Sequence, residues 1–97
     1  MFKGVIVPML TLFDDDKKID YSANEAQMNR LIESGVNGLF YMGTTGEFMH
    51  LSMEERKQFI KWAVDTADNR VKILVGTGST NINETVMLTE YAQSQGA

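Results

Sequence analysis

Two adjacent threonines between two glycines form the segment with the clearest chemical potential. The sequence reads Gly43-Thr44-Thr45-Gly46, followed by Glu47. Glycines permit a close approach of the backbone to a ligand, and successive amide groups in such a turn can bind an anion. A threonine hydroxyl both donates and accepts, so it can pass a proton between neighbours. The segment therefore predicts a carboxylate-binding turn with a proton relay or a tight turn whose threonines satisfy only backbone groups.

A second segment rich in glycine and hydroxyl groups spans residues 76–80, with the sequence GTGST. It lacks the third glycine of a dinucleotide-binding fingerprint and the lysine of a phosphate loop. We therefore predict that it forms the floor of the binding site beside the first segment. The alternative is a loop that binds phosphate. Glu47 is interpreted as a structural carboxylate that accepts backbone amides, rather than as an acid or base.

The other polar and aromatic candidates predict less chemistry. His50 is the only histidine and the chain has no cysteine, so no metal site is predicted. The run from Asp14 to Asp16 is interpreted as a solvated loop. Trp62 lies beside the apolar stripe of its predicted helix, and we expect it to pack on a neighbouring helix or on another subunit.

Composition excludes several classes of protein. The chain has 97 residues and a formal charge of −4, with Lys and Arg scattered rather than clustered, which argues against a nucleic-acid surface. No stretch is long enough to span a membrane. The absence of cysteine excludes disulfides and fits a reducing compartment, so a cytoplasmic location is expected. The apolar run of residues 4–13 predicts a buried strand rather than a signal peptide.

The elements that must position these segments repeat along the chain. Apolar runs at 5–7, 39–42 and 71–75 predict strands, and Val5, Leu39 and Ile73 are spaced by 34 residues. Each run precedes a predicted helix: the first covers residues 21–34, the second begins at Ser52, and the third begins near Asn81. The second and third helices start with capping-box patterns.

Three strand–helix units predict an α/β fold with a parallel sheet. An open doubly wound sheet and a closed (β/α)₈ TIM barrel both use this unit, and eight units of this length match the roughly 250 residues of a barrel. We predict that residues 1–97 are the N-terminal part of one TIM-barrel domain and supply its first three βα units. Their boundaries are about 4–35, 36–69 and 70–97. The carboxyl ends of the strands then gather both glycine-rich segments at one edge.

With those segments placed, the chain resembles the dihydrodipicolinate synthase/N-acetylneuraminate lyase family of class I Schiff-base pyruvate aldolases. The resemblance covers essentially all 97 residues. Its carriers are Gly4 with the strand after it, Gly35-Val36-Asn37-Gly38-Leu39, Gly43-Thr44-Thr45-Gly46-Glu47, Leu51-Ser52-Met53-Glu54-Glu55-Arg56 and Val75-Gly76-Thr77-Gly78.

The resemblance implies a (β/α)₈ barrel assembled as a homotetramer, a dimer of dimers. It implies that a lysine on a later strand forms an imine with pyruvate, and that the resulting enamine adds to an aldehyde or is released by the reverse cleavage. A tyrosine on a later strand shuttles protons. The lysine lies beyond residue 97, no other cofactor is implied, and residues 1–97 alone are expected to be inactive.

Carried onto this chain, the resemblance gives roles to the first glycine-bracketed segment. It implies that Thr45, with the amides of Thr45 and Gly46, binds the pyruvate carboxylate. It implies that Thr44 is a catalytic residue that joins the proton relay through its hydroxyl, and that Glu47 braces the turn.

The branch of the family is predicted from smaller features. Two threonines in the turn resemble dihydrodipicolinate synthases, which join pyruvate to aspartate semialdehyde in lysine biosynthesis. The pair Thr11-Leu12, where synthases usually have Thr-Pro, counts against a standard synthase, and residues 48–57 resemble members that cleave 2-keto-3-deoxy sugar acids. The alternative is therefore an aldolase of 2-keto-3-deoxy sugar acids or of N-acetylneuraminate. Met53 and Arg56 stand where lysine-inhibited synthases often carry histidine, so lysine feedback is not expected. An alternative of another class is a non-enzymatic βα module that binds phosphate.

Overall fold

The computed structural model describes residues 4–43, 51–79 and 81–97 of the chain. It contains three strands and three helices in strict alternation. They are β1 (Ile6–Pro8), α1 (Tyr21–Glu33), β2 (Gly38–Tyr41), α2 (Met53–Ala67), β3 (Lys72–Val75) and α3 (Ile82–Gln95). The strands and helices lie within one or two residues of the positions predicted from the sequence.

The three strands form one parallel sheet in the order β1-β2-β3. Leu39 in the central strand pairs with Val7 on one side and with Ile73 on the other. Because all strands run the same way, their carboxyl ends meet at one edge, where the segments after Pro8, Tyr41 and Val75 begin. This is the predicted arrangement of three βα units.

The helices cover one face of the sheet. Successive strand residues point to opposite faces, and Leu39 and Tyr41 of the central strand are fully buried. They share one apolar cluster with residues of all three helices, including Met28, Phe59 and Leu88. Burial of such side chains is the main stabilising term of the fold, at about 1.5–3 kcal/mol for each large one.

An aromatic group joins α1 and α2 to β2. Trp62 lies with its ring centroid 5.1 Å from Phe59, 5.5 Å from Tyr21 and 6.3 Å from Tyr41. Tilted and edge-to-face pairs at these distances are favourable for aromatic rings. Of the two expectations for Trp62, packing on a neighbouring helix is therefore confirmed within this chain.

Capping side chains begin each helix. Asp20 Oδ1 accepts the Ala23 amide at 2.9 Å at the start of α1. Ser52 and Glu55 form the complete capping box predicted for α2, at 2.9 and 3.1 Å. The sequence pattern at α3 predicts a second capping box, and the structure confirms only half of it. Asn81 caps the helix, but the carboxylate of Glu84 instead accepts a hydrogen bond from Ser79 Oγ at 2.6 Å.

The loop between β1 and α1 is more ordered than a simple solvated run. Asp14 is exposed, as predicted, yet its carboxylate accepts the amides of Asp16 and Lys18 at 2.9 and 3.0 Å. Beyond this turn, Phe13 and Ile19 form an antiparallel bridge. The loop is thus a small hairpin that returns the chain to the start of α1.

Candidate functional site

The predicted site residues Thr44, Thr45 and Gly46 lie outside the described residues, and so do Glu47 and His50. Their assigned roles therefore stay predictions. The structure describes the chain on both sides of them, up to Gly43 and again from Leu51 onward. These two flanks define where the candidate carboxylate-binding segment enters and leaves the fold.

The entering flank, which is the chain up to Gly43, contacts the start of the β3–α3 turn, residues 76–81. The Gly76 amide donates to the Tyr41 carbonyl at 2.8 Å, extending the pairing of β2 and β3 by one step. Met42 then adopts a left-handed conformation with φ of 59°, uncommon for a residue with a side chain. A Cβ atom at Gly76 would overlap the Met42 carbonyl, so only glycine permits this approach. The backbone just before Gly43 is therefore held by Gly76, the residue that follows β3.

The leaving flank, which is the chain from Leu51 onward, forms hydrogen bonds with the same turn through a buried arginine. Arg56, in the first turn of α2, is only 4 % exposed. Its guanidinium donates to the Gly78 carbonyl at 2.6 Å and to the Gly76 carbonyl at 2.8 Å. Burial lowers the pKa of Arg56, and the nearby charge of Glu84 opposes that shift. An arginine stays protonated in proteins even so, which makes it a permanent donor here.

The hydroxyl groups of the β3–α3 turn are also engaged. Ser79 Oγ accepts the Asn81 amide at 3.1 Å and donates to Glu84 at 2.6 Å. Thr77 Oγ1 lies 2.8 Å from Thr89 Oγ1 of α3. Because these groups already bond within the protein and a carboxylate lies among them, the geometry supports the predicted floor rather than a phosphate cradle. Thr80 lies outside the described residues.

A buried asparagine holds the segment that follows β1. Asn24 of α1 is fully buried, and its side chain accepts the Leu12 amide at 3.2 Å and donates to the Leu12 carbonyl at 3.0 Å. The same amide nitrogen donates to the Asp20 carbonyl at 2.7 Å. Beside Leu12, Thr11 is 4 % exposed. The Thr11-Leu12 pair therefore has a fixed backbone at the carboxyl edge of the sheet.

Neither Asn24 nor Arg56 was predicted as a site residue, although the sequence holds a signal for both. Each is the fourth residue of its helix and lies on the core-facing stripe, four positions before Met28 and Ile60 respectively. A polar side chain on such a stripe must find partners when buried. This periodicity predicts buried polar groups near the amino ends of α1 and α2.

The side chain of Tyr41 packs among the helices. Tyr41 points toward the helices and is fully buried, and its hydroxyl has no hydrogen-bond partner among the described residues. Burial raises its pKa. Burial also raises the pKa of Tyr21, with a smaller contribution from Glu55.

The described residues contain neither a cluster of metal-binding side chains nor a helix that could span a membrane. In residues 4–43, 51–79 and 81–97, no group of three or more His, Asp or Glu side chains is arranged to hold a metal ion. In the same ranges, no helix has the length and apolar character needed to cross a membrane.

Comparison with known proteins decides the family. The model of the dihydrodipicolinate synthetase family matches residues 1–97. The chain belongs to this family. The resemblance inferred from the sequence is thereby confirmed, and the described elements are three βα units of the family's (β/α)₈ barrel.

Relatives in this family carry more than one activity. The chain is 44 % identical over 97 residues to YagE of Escherichia coli K12, assigned provisionally as a 2-dehydro-3-deoxy-D-gluconate aldolase. It is 41 % identical over 97 residues to a 4-hydroxy-tetrahydrodipicolinate synthase of Methanocaldococcus jannaschii. Both alignments cover the whole chain but only 32 % and 33 % of the relatives, so the chain spans about a third of their length.

Solved structures of the family agree with the fold. The structure of YagE in complex with pyruvate matches with a TM-score of 0.96 at 44 % identity, over 100 % of this chain and 33 % of that one. An N-acetylneuraminate lyase from Mycoplasma synoviae matches with a TM-score of 0.91 at 34 % identity, over 98 % of this chain and 33 % of that one. Family membership and fold are shared across these proteins, whereas their substrates differ.

Proposed function

We propose that residues 1–97 supply the carboxylate-binding part of a lyase that forms a Schiff base between a lysine and pyruvate. The observation that carries the proposal is that the described chain on both sides of residues 44–50 bonds to the β3–α3 turn. The entering flank contacts Gly76, and the leaving flank reaches Gly76 and Gly78 through Arg56. Fixed flanks at the edge of a sheet are suited to orient groups that bind a small anion.

In this proposal the carboxylate of pyruvate is bound by the hydroxyl of Thr45 and the amides of Thr45 and Gly46. Thr44 contributes its hydroxyl to a proton relay, and Glu47 braces the turn. The support is the composition of the segment, its position after β2 and the pyruvate present in the solved structure of YagE. Amide donors and hydroxyls bind a carboxylate without a cationic side chain.

The covalent step needs a lysine from outside these residues. Its amine attacks the keto carbon of pyruvate, water leaves, and the protonated imine draws electrons so that the methyl group loses a proton. Lys72, the lysine on β3, is the first residue of that strand and lies at the opposite end of the sheet. We propose no cofactor beyond this imine, and a homotetramer as the assembly.

The proposal also includes the identity of the aldehyde substrate. The first candidate is aspartate semialdehyde, because two threonines occupy the turn and 4-hydroxy-tetrahydrodipicolinate synthases are among the relatives. A specific observation favours a second candidate, the aldehyde released from a 2-keto-3-deoxy sugar acid. The chain is 44 % identical to YagE, and Thr11-Leu12 departs from the Thr-Pro of synthases.

Two assays on the full-length protein that carries residues 1–97 test the proposal. Condensation of pyruvate with aspartate semialdehyde and release of pyruvate from 2-keto-3-deoxy-D-gluconate are measured with the same preparation. Turnover of aspartate semialdehyde alone supports the first candidate, and turnover of the sugar acid alone supports the second. The absence of any pyruvate-dependent reaction, together with the absence of a trapped pyruvate adduct, would refute both.

A further inference from the structure

We propose that Arg56 is a positioning residue for pyruvate binding: it clamps the first turn of α2, which follows the proposed carboxylate-binding segment, to the β3–α3 turn. The inference rests on the proposed function. It concerns a residue that does not touch the substrate and acts through the backbone of Gly76 and Gly78.

The geometry of the clamp is specific to a guanidinium. Arg56 donates from two nitrogens, Nη1 to the Gly78 carbonyl at 2.6 Å and Nη2 to the Gly76 carbonyl at 2.8 Å. A planar fork can bond two acceptors at once, whereas a lysine ammonium is a point charge on a flexible stem. Arg56 is 4 % exposed, so the guanidinium is largely shielded from water and depends on these two carbonyls as acceptors.

The position of the clamp connects it to the candidate site. Arg56 lies in the first turn of α2, whose cap Ser52 lies just beyond the carboxylate-binding segment. Gly76, one of its two targets, also donates to the Tyr41 carbonyl and contacts Met42 just before that segment. One turn therefore contacts both flanks, and the loss of Arg56 releases one of them while the other stays in place.

The negative charge of Glu84 supports the buried cation. Glu84 lies close enough to influence the guanidinium electrostatically and accepts Ser79 Oγ at 2.6 Å. The clamp thus includes the start of α3, so the turn is fixed from both of the helices around it. A buried cation with carbonyl and carboxylate neighbours avoids most of the cost of desolvation.

Arg70 offers a matched control at the opposite end of the sheet. It also donates to backbone carbonyls, those of Ala67 and Thr66, and to Asn29 Oδ1, all at 2.9–3.0 Å. It follows α2 and precedes β3, away from the candidate site. Removing it deletes arginine–carbonyl bonds without touching the carboxyl edge.

The experiment compares Arg56→Met, Arg56→Lys and Arg70→Met in the full-length protein that carries residues 1–97. Steady-state kinetics give kcat and the KM for pyruvate, and thermal unfolding gives Tm. For Arg56→Met we expect the KM for pyruvate to rise about 10–100-fold, with a smaller change in kcat, because a displaced binding group weakens capture of the substrate. Arg56→Lys is expected to restore part of the loss, and Arg70→Met to lower Tm while its KM stays unchanged.

The outcomes separate the two proposals. If wild-type protein forms no pyruvate adduct under borohydride, the proposed function fails before Arg56 is considered. If wild-type protein is active, an unchanged KM in both Arg56 variants, or an equal rise in KM for Arg70→Met, overturns the positioning role. Should Arg56→Met not fold, the comparison of Arg56→Lys with Arg70→Met decides the question by the same criterion.

Discussion

At both ends of the sheet, asparagine and arginine side chains form hydrogen bonds with backbone groups. These side chains are exposed to solvent at the amino end and buried at the carboxyl end. At the amino end, Asn37 accepts the Val5 amide at 2.9 Å and Arg70 caps the carbonyl of Ala67 at 3.0 Å, and both side chains are exposed. At the carboxyl end, Asn24 and Arg56 bond to loop carbonyls while almost completely buried.

The difference in burial changes what each bond does. An exposed hydrogen bond exchanges easily with water and contributes modestly to stability, about 0.5–1.5 kcal/mol. A buried polar group that loses its hydrogen-bond partners destabilises the fold. A buried bond therefore disfavours any backbone conformation in which the partner moves away. At the carboxyl end, the described backbone at Leu12, Gly76 and Gly78 is therefore held by buried side chains. This agrees with the location of active sites in barrels of this kind.

The largest expected effect comes from Gly76→Ala at the carboxyl end. Its Cβ would overlap the Met42 carbonyl, so the ends of β2 and β3 must separate. We expect the free energy of unfolding to fall by about 3 kcal/mol and the KM for pyruvate to rise about 10-fold or more. Denaturant titration and steady-state kinetics on the full-length protein measure the two effects.

Gly96→Ala is the control for that prediction. Gly96 has a φ of 100°, but the nearest atom to its Cβ position is Val64 Cγ1 at 3.6 Å, which is ordinary contact. Backbone strain alone then lowers stability by about 1 kcal/mol, with no change in the KM for pyruvate. If Gly76→Ala behaved like Gly96→Ala, the close contact between the two strand ends would have no role in binding.

The next effect is expected for Asn24→Asp, which exchanges a buried donor for an acceptor. The new carboxylate would face the Leu12 and Asp20 carbonyls, to which the Asn24 amide donates. We expect a loss of about 2 kcal/mol near neutral pH. The loss should shrink as the pH falls, because a protonated carboxyl can donate again and its pKa is raised in that position.

Chemical denaturation at several pH values, each compared with wild-type protein, measures this effect. Asn29→Asp is the matched control on the same helix, because Asn29 uses its oxygen to accept from Arg70 and an aspartate keeps that acceptor. Equal losses for the two variants, or a loss for Asn24→Asp that does not depend on pH, would contradict the role assigned to Asn24.

A smaller effect is expected at the amino end. Asn37→Ala removes the acceptor of the Val5 amide, which is exposed and can bond to water instead. We expect about 1 kcal/mol less stability and an unchanged KM for pyruvate, by the same two measurements. A rise in KM comparable with that of Gly76→Ala would show that the two ends of the sheet do not differ in function.

The smallest effect is expected for Tyr41→Phe, in the helix-covered core between the two ends. The Tyr41 hydroxyl is buried and has no partner among the described residues, so its removal is expected to raise stability by roughly 0.5 kcal/mol. Above the ordinary tyrosine pKa of 10.0, the unfolded chain loses this proton while the folded chain keeps it. Wild-type stability therefore falls as the pH rises through that value.

Urea denaturation at pH 8 and at pH 11 checks the prediction for Tyr41. The phenylalanine variant should lose less stability between the two pH values than wild-type protein does. A variant that is clearly less stable at pH 8 would show that the hydroxyl is satisfied in solution, and the interpretation of Tyr41 would then be wrong.

The sequence predicted the elements and the edge that carries the candidate site, because strands, caps and the repeat have local signals. It could not predict the partners of Arg56 and Asn24. Those partners are backbone carbonyls and amides, which every residue has, so nothing in residues 76–80 or in Leu12 indicates that they receive a side chain. The left-handed conformation of Met42 also has no local signal, since residues with a side chain seldom adopt it.

The most direct test of the central claim is borohydride trapping with pyruvate, followed by mass spectrometry of the peptides. The full-length protein that carries residues 1–97 is compared with a protein limited to those residues. We predict a reduced pyruvate adduct on a lysine beyond residue 97 in the first and no adduct in the second. An adduct on a lysine within residues 1–97, or none in the full-length protein, would contradict the account.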